Sequence, residues 1–510
     1  MARMLRILPD RPHALHNLAA TRALEETAAA GLPQHTLMRR AGLATARLAL
    51  ALAPHAQQVW IVCGPGNNGG DGLEAALHLH TRARQVTVTW LGNEAHTPPD
   101  ARRSLESARS AGVQFADAPA SPLTEHDLCI DALLGIGLAP GGGSRPPPEN
   151  WRALLRQLRS GPAPLLCIDV PSGLQADTGA WADGFAPGDA PQAPCHTLSL
   201  LPLKPGLFTA HGRDAAGTVW LDRLGAPSDE ASACAWLAGT PQGSQQRPHA
   251  SHKGSFGDVA VVGGEGLARR GMGMEGAALL AASAALHAGA GRVLVALLDD
   301  GAFRVAAAAP ELMQRRFEAL ELSALTVVCG CGGGEAVVDV LTPILDQAAR
   351  LVLDADALNA IARKGSLQTT LARRTARGLA TIFTPHPLEA ARLLGSSPAT
   401  VQADRLAAAR SLADQFGGVW VLKGSGTIVA GAGEQLPFIN PTGNARLATA
   451  GTGDVLAGMV GAHLAAGKAP FDAACHAVFA HGQMADRWPR GESLVVSALA
   501  CASVSKRNRF

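Results

Sequence analysis

Short apolar, β-branched runs that stop on glycine, aspartate, serine or proline recur along this chain, with helix-like stretches between many of them. VWIVC (59–63), QVTVTWLG (85–92), DLCIDALLGIG (127–137) and PLLCIDVPSG (164–173) form one series. GDVAVVGG (257–264), GRVLVALL (291–298), LTVVCGCGGG (325–334), RLVLDADAL (350–358), ATIFTPHPLEAARLLG (380–395) and VWVLKGSGTIVAG (419–431) form a second. Runs that are apolar throughout, rather than at alternate positions, suit strands buried on both faces. Each series therefore predicts an α/β fold, the first a parallel sheet with helices on both faces. The helices are expected at HTLMRRAGLATARLALALA (35–53), GLEAALHLHTRA from Gly72, and 276–288.

Two series need two cores. The chain has 510 residues, whereas a single core rarely grows past about 250 to 300. Periodicity fades from residue 226, where APSDEASACAWLAGTPQGSQQRPHASHKGS fills with small and turn-forming residues. The expected division is a front domain over 1–230, a linker over 231–250 and a rear domain over 251–510.

Composition narrows the partners. A formal net charge of +2 with 17% charged residues gives no dense basic stripe, so nucleic acid is not an expected partner. The longest weakly polar stretch, GAALLAASAALHAGAG (276–291), falls short of the roughly 20 apolar residues a bilayer needs, so no membrane span is expected. Pro9, Asp10 and Arg11 interrupt the N-terminal apolar residues early, which argues against a secretory signal. Nine cysteines lack any C-x-x-C pair, and Cys63, Cys129, Cys167 and Cys329 fall within strand-like runs. They read as reduced thiols of a cytoplasmic protein.

Ligands of such sheets bind beyond the carboxyl ends of the strands, so chemistry is sought in the loops that follow them. The front series offers GPGNNGGDG (64–72) and three post-strand carboxylates, Asp71, Asp131 and Asp169. An aspartate that opens a helix also caps it, so any one alone has a structural explanation. Three together beside glycine loops predict one site. In the rear series GTGD (451–454) directly precedes an apolar helical run, so the amides of Gly451, Thr452 and Gly453 would form an anion hole. Asp454 could take the proton of a substrate hydroxyl as phosphoryl transfer begins. LKGSGT (422–427) ends a strand in a second glycine turn, and its Lys423 is one of few lysines, a compact charge suited to phosphate.

HKGSFGDVAVVGG, VLDADALN, TPHPLEAARLLG, LKGSGT and GTGDVLAG, in that order, resemble the dehydratase domain of the NAD(P)H-hydrate repair enzymes, a branch of the ribokinase-like superfamily. LMRRAG, GPGNNGGDG, DALLGIGL, IDVPSGL and LSLLPLKPGL resemble the partner epimerase domain. The resemblance covers nearly the whole chain. It implies a Rossmann-like three-layer front domain that interconverts the R and S epimers of hydrated NADH and NADPH. It implies a ribokinase-like rear domain that dehydrates the S form with a nucleotide, ADP in the bacterial branch, releasing AMP and phosphate.

Site residues follow by the same resemblance. Asn67, Asn68, Gly69, Gly70 and Asp71 would lie against the dinucleotide, and the loop Gly135, Ile136, Gly137, Leu138, Ala139, Pro140, Gly141 would close over it. Asn68, Asp131 and Ser172 would hold a potassium ion. Asp169 would serve as acid and base at C6, with a purely positioning role as its rival. In the rear domain Ala277, Gly332, His386 and Asp454 would contact the hydrated dinucleotide. Lys423, Gly424, Ser425, Gly426, Thr427 and Gly453 would contact ADP, with magnesium expected on the nucleotide and its protein ligands not identified. An assembly of identical chains is expected. The chain departs from the family at Ile136, usually threonine, and at CGCGGG, usually G-P-G-L-G. Further departures fall around Arg446 and in GEGLARRGMGMEGAA. Two other readings stay open: a small-molecule kinase in the rear domain, and a non-catalytic nucleotide-binding or interaction module in front.

Overall fold

The computed structural model describes residues 4–82, 84–137, 147–187, 192–241, 248–298 and 309–502. The chain divides into two compact units, Met1–Leu8 with His13–Leu237 and Pro9–Pro12 with Ala238–Phe510. Among the described residues no helix is long and apolar enough to cross a membrane.

The front unit opens with α1 (Leu18–Ala29), started by Asn17, whose side chain accepts from the Ala20 amide at 2.9 Å. It continues through α2 (Thr36–Leu52), β1 (Gln58–Cys63), α3 (Asn67–His80), β2 (Gln85–Trp90), β3 (Leu128–Ala132), β4 (Leu165–Ile168), β5 (Cys195–Leu200) and β6 (Thr218–Asp222). The sheet runs Leu5–Arg6, β6, β5, β4, β3, β1, β2, Gln114–Phe115, parallel except at the Leu5–Arg6 edge. Trp60, Ile61, Val62 and Cys63 of β1 are fully buried, as a strand covered on both faces requires. Within the expected linker, Ala235–Leu237 pairs as a short antiparallel strand with His13–Leu15.

The rear unit contains β7 (Asp258–Glu265), α4 (Glu275–His287), β8 (Arg292–Leu298), β9 (Thr326–Cys329), β10 (Arg350–Leu353), β11 (Thr381–Phe383), α5 (Pro387–Leu394), α6 (Arg405–Phe416), β12 (Val419–Leu422), β13 (Ile428–Gly431) and α7 (Thr452–Ala465). Its strands run Met313–Gln314, β8, β7, β9, β10, β11, β12, β13, Phe438–Ile439. All are parallel up to β12, and the last two pairs are antiparallel. VWVLKGSGTIVAG is thus a hairpin whose turn presents KGSGT. A core of small residues, with Ala278, Ala281 and Ala285 of α4 against Val455, Ala457 and Val460 of α7, brings these two helices close. A Cβ added at Gly458 would come within 2.0 Å of the Ala281 carbonyl.

Candidate active sites

The front site is a cavity of about 650 Å³ walled by the loops that follow β1, β3 and β4 and by the end of β5. Gly66 is the N-cap of α3, and Asn67 already begins the helix. Asp71 therefore lies in the second turn and is not a cap. Its carboxyl lines the cavity and makes no hydrogen bond or ion pair among the described residues. Burial, then the charges of Asp169, Glu25 and Glu74, hold it well above the usual carboxylate range.

Asn67, Asn68, Gly135, Ile136 and Gly137 also line the cavity, whereas Leu138, Ala139, Pro140 and Gly141 lie outside the described residues. Gly69 and Gly70 are buried and are not on its wall. A Cβ on Gly69 would stand 2.0 Å from the Gly64 carbonyl oxygen, and one on Gly70 2.7 Å from the Met38 sulfur. Their lack of a side chain serves chain-to-chain packing. Gly66 has nothing within 4 Å and does face the cavity. Gly69→Ala should lower front-unit stability by about 1–3 kcal/mol or more, while Gly66→Ala, which meets no atom, should cost only the weaker N-cap preference, under about 1 kcal/mol; paired denaturant titrations check this contrast.

Asp169 follows β4 with φ 65, a left-handed conformation costly to a residue with a Cβ and typical of sites held by their surroundings. Its Oδ1 accepts from the Leu200 amide at 3.0 Å and is ion-paired with the Lys204 ammonium. Lys204 is fully buried and donates also to the Leu200 carbonyl at 2.8 Å. Close by in sequence, Ser172 donates its hydroxyl to Asp131 Oδ1 at 2.5 Å and its amide to Oδ2 at 3.0 Å. Asn68 is buried with its side-chain nitrogen unbonded, against Gly135 of the loop whose Leu134 amide donates to Ser172 Oγ.

In the rear unit Gly451 caps α7 with φ 95, and Thr452, Gly453 and Asp454 occupy its first turn. Lys423 Nζ donates to Asp354 Oδ1 at 2.7 Å, and a Cβ on Gly453 would lie 3.3 Å from that nitrogen. Thr384 Oγ1 donates to the same Asp354 oxygen at 2.8 Å. Cys331, Asp354 and Asp454 bring one ligand atom each within 4.8 Å of one another. The GTGD helix start, Lys423 and two aspartates thus converge. Burial, then repulsion from Asp354, pushes Asp454 up to about 7. Burial alone would lower Lys423, but Asp354 and Glu389 outweigh it and hold the ammonium above the ordinary lysine range.

Gly332 and Ala277 are in contact, since a Cβ on Gly332 would reach the Ala277 Cβ at 2.9 Å. His386 is the N-cap of α5: its Nδ1 accepts from the amides of Leu388 and Glu389 at 3.1 and 3.3 Å. Its Nε2 stands 3.2 Å from Glu389 Oε1, and Lys423 lies near enough to lower its basicity further than burial does alone. Gly424, with φ 140, leads into the turn of Ser425, Gly426 and Thr427, whose hydroxyl donates to the Gly424 carbonyl at 3.1 Å.

Three residues of these sites escape a reading of the sequence: Lys204, Asp354 and Arg405. Arg405 is buried and donates to the carbonyls of Leu422 and Lys423 at 3.1 and 3.2 Å, fixing the start of the KGSGT turn from beneath. The scarcity of lysine flags Lys204 as it flags Lys423, and Asp354 closes an apolar strand as Asp169 does.

Two parallel-sheet units, each with carboxylates gathered beyond its strands, one around a cavity and one at a helix start beside a lysine, define a two-site α/β enzyme. Residues 34–206 match the family described as YjeF-related protein N-terminus, and residues 261–507 the family described as NAD(P)H-hydrate dehydratase. The bifunctional NAD(P)H-hydrate repair enzyme Nnr of Escherichia coli (strain K12) is 36% identical over 475 residues, 89% of this chain and 85% of that protein. The enzyme of that name from Coxiella burnetii is 34% identical over 482 residues, 91% and 93% of the two chains. The ADP-dependent (S)-NAD(P)H-hydrate dehydratase of Neisseria meningitidis serogroup B is 43% identical over 268 residues, 51% of this chain and 86% of that one. The chain belongs to the family of bifunctional NAD(P)H-hydrate repair enzymes. Matches through both halves do not favour a kinase joined to a non-catalytic front module.

Proposed function

We infer that this chain restores hydrated NADH and NADPH, epimerising the C6 carbinol in the front unit and dehydrating the S epimer with ADP in the rear unit. The observation that carries the reading is the meeting of Asp454, Lys423 and the α7 helix start in a unit whose sequence follows an ADP-dependent dehydratase. Hydroxide leaves a saturated carbon poorly, and phosphate leaves well. Asp454 takes the proton of the C6 hydroxyl as its oxygen attacks the terminal phosphorus of ADP, and the bond to the AMP oxygen breaks. The Thr452 amide already donates to the Thr449 carbonyl at 3.3 Å, so the expected three-amide hole is reduced to the Gly451 and Gly453 amides, which with Lys423 stabilise charge on the moving phosphoryl group. Loss of phosphate from C6 and of a proton from C5 then restores the dihydropyridine. Ala277, Gly332 and His386 line the dinucleotide side of this site, and Gly424, Ser425, Gly426 and Thr427 the nucleotide side.

Potassium suits the front unit. Asp131 and Ser172 are hard oxygen donors already held together, and the Asn68 amide is buried with an unbonded atom beside them, which a rotated amide would make an oxygen. These three would hold the ion, which supplies a fixed positive charge under the dinucleotide-binding loops. Magnesium has no comparable set among the described residues: in the Cys331, Asp354, Asp454 group one carboxylate is paired with Lys423 and one donor is a thiol, a poor magnesium ligand. The nucleotide phosphates would carry it. Nine free thiols fit a reducing cytoplasm.

The test is recovery of dihydronicotinamide absorbance from mixed-epimer hydrated NADH, with ADP and with ATP in separate reactions. Complete recovery with ADP is expected. Recovery that halts once the S epimer is spent, apart from slow spontaneous epimerisation, would leave only the rear activity; a stable phosphorylated product would restore the kinase reading.

A further inference from the structure

Epimerisation through loss and return of a hydroxyl needs a proton for the departing oxygen, and Asp169, bonded to the Leu200 amide and ion-paired with Lys204, is arranged to accept one. A donor must stand elsewhere on the same cavity wall. Asp71 is a half-buried carboxyl on that wall that no amide, hydroxyl or cation of the described residues engages. We propose that Asp71 is the proton donor of the front reaction, working with the Lys204-paired carboxylate of Asp169. The assignment rests on the epimerase reading of the front unit.

The two acids hold the same cavity from different elements and in different company. Asp169 comes from the loop after β4, in a left-handed conformation fixed by Leu200 and Lys204. Asp71 comes from the second turn of α3, and the charges of Asp169, Glu25 and Glu74 add to burial in favouring its protonated form. Asp169 is engaged by an amide and an ammonium, both donors to a carboxylate, whereas no described donor engages Asp71. Glu25 also reaches the cavity but lies on the exposed side of α1, where water competes for its proton.

The step balances as follows. The Asp71 proton passes to the C6 hydroxyl, and the C6–O bond breaks with its electron pair, releasing water. The ring nitrogen lone pair forms the C6=N bond of a cationic iminium, which the Asp169 carboxylate stabilises. Water adds to the other face of C6, its oxygen supplying the electron pair of the new bond, and its proton goes to Asp169. The reverse reaction uses the two acids in exchanged roles, and solvent returns the proton for another forward turnover.

The experiment follows R-epimer conversion by the full chain with saturating ADP, beside dehydration of the pure S epimer as a check on the rear unit. It also follows heavy-oxygen uptake from labelled water at C6. Wild type should convert the R epimer well above the buffer rate; if it does not, the epimerase reading falls and the proposal with it. Asp71→Asn should lower kcat for R conversion about a hundredfold or more, slow label uptake equally, leave KM within about threefold of wild type, and keep the S-epimer rate. A raised KM with unchanged kcat, or label uptake at the wild-type rate, would overturn the proposal while leaving the epimerase reading intact. Asp71→Glu retains an acid and should recover part of kcat; a folded Glu variant no faster than the Asn variant would count against a proton-donor role.

Discussion

Asp454→Asn should reduce dehydratase kcat by about a thousandfold, within the range for a lost general base, while ADP still binds and R-to-S epimerisation continues. The variant keeps the size of the side chain at the start of α7 and removes its negative charge and its ability to accept a proton. The same substitution should stabilise the rear unit in a pH-dependent way. Folding raises Asp454 from 3.8 to about 7, so the folded state holds its proton more tightly than the unfolded chain does. Stability from this group is therefore fully present below about pH 4 and is lost as pH rises through about 7. At about pH 8 the Asn variant should gain as much as about 4 kcal/mol over wild type, and at about pH 4 nothing. Denaturant midpoints of both proteins at the two pH values measure this. Equal gains at both would assign the effect to packing. Wild-type dehydration should rise with pH through a single ionisation near 7, and the residual rate of the Asn variant should lack that step.

Such behaviour would be that of a site selected for reaction rather than stability. A carboxylate placed beside Asp354 and the Cys331 thiol, with water largely excluded, is a poor structural element. It is a good base near neutral pH. Glu389, pushed by burial to about 7 against the pull of Lys423, suffers the same environment but is engaged in capping α5 through the His386 amide at 2.8 Å. A raised pKa alone does not distinguish them; position at the start of α7 does.

The sheet was legible because its evidence is local. Runs such as VWIVC and RLVL carry their apolar character on consecutive residues, and burial on both faces leaves no polar alternation to misread. The start of α3 was not legible as helix. Asn67, Asn68, Gly69 and Gly70 read locally as loop formers, yet Gly69 packs on the Gly64 carbonyl and Gly70 on Met38, and that tertiary contact decides the conformation. The partner of each candidate site residue was also hidden. Lys204 lies 35 residues from Asp169, Asp354 lies 69 from Lys423, and Arg405 lies 18 from the carbonyl it supports. Motifs mark the groups at loop tips, whereas the side chains beneath those loops are assigned only by folding.

Lys204→Met should be among the most damaging single changes in the front unit. Lys204 is fully exposed to none of the solvent and Asp169 is only 9% exposed. Removing the ammonium while keeping its length strands a carboxylate whose remaining described partner is the Leu200 amide. Breaking a buried pair from one side costs about 3–5 kcal/mol, because the abandoned charge retains its desolvation penalty. Asp169→Asn in the Lys204→Met background removes that charge, so the double variant should be more stable than Lys204→Met alone and lie within about 2 kcal/mol of wild type. Epimerase activity should be lost in Asp169→Asn and in the double variant, since neither keeps the Asp169 carboxylate, and should fall in Lys204→Met, where the carboxylate loses the ammonium that holds it. Recovery of stability without recovery of epimerisation would separate the two tasks of the pair: Lys204 makes the carboxylate tolerable in the fold, and Asp169 makes it useful to the reaction. Additive losses of stability in the double variant would instead mean that the ion pair carries no coupling and that Lys204 holds the loop through the Leu200 carbonyl alone.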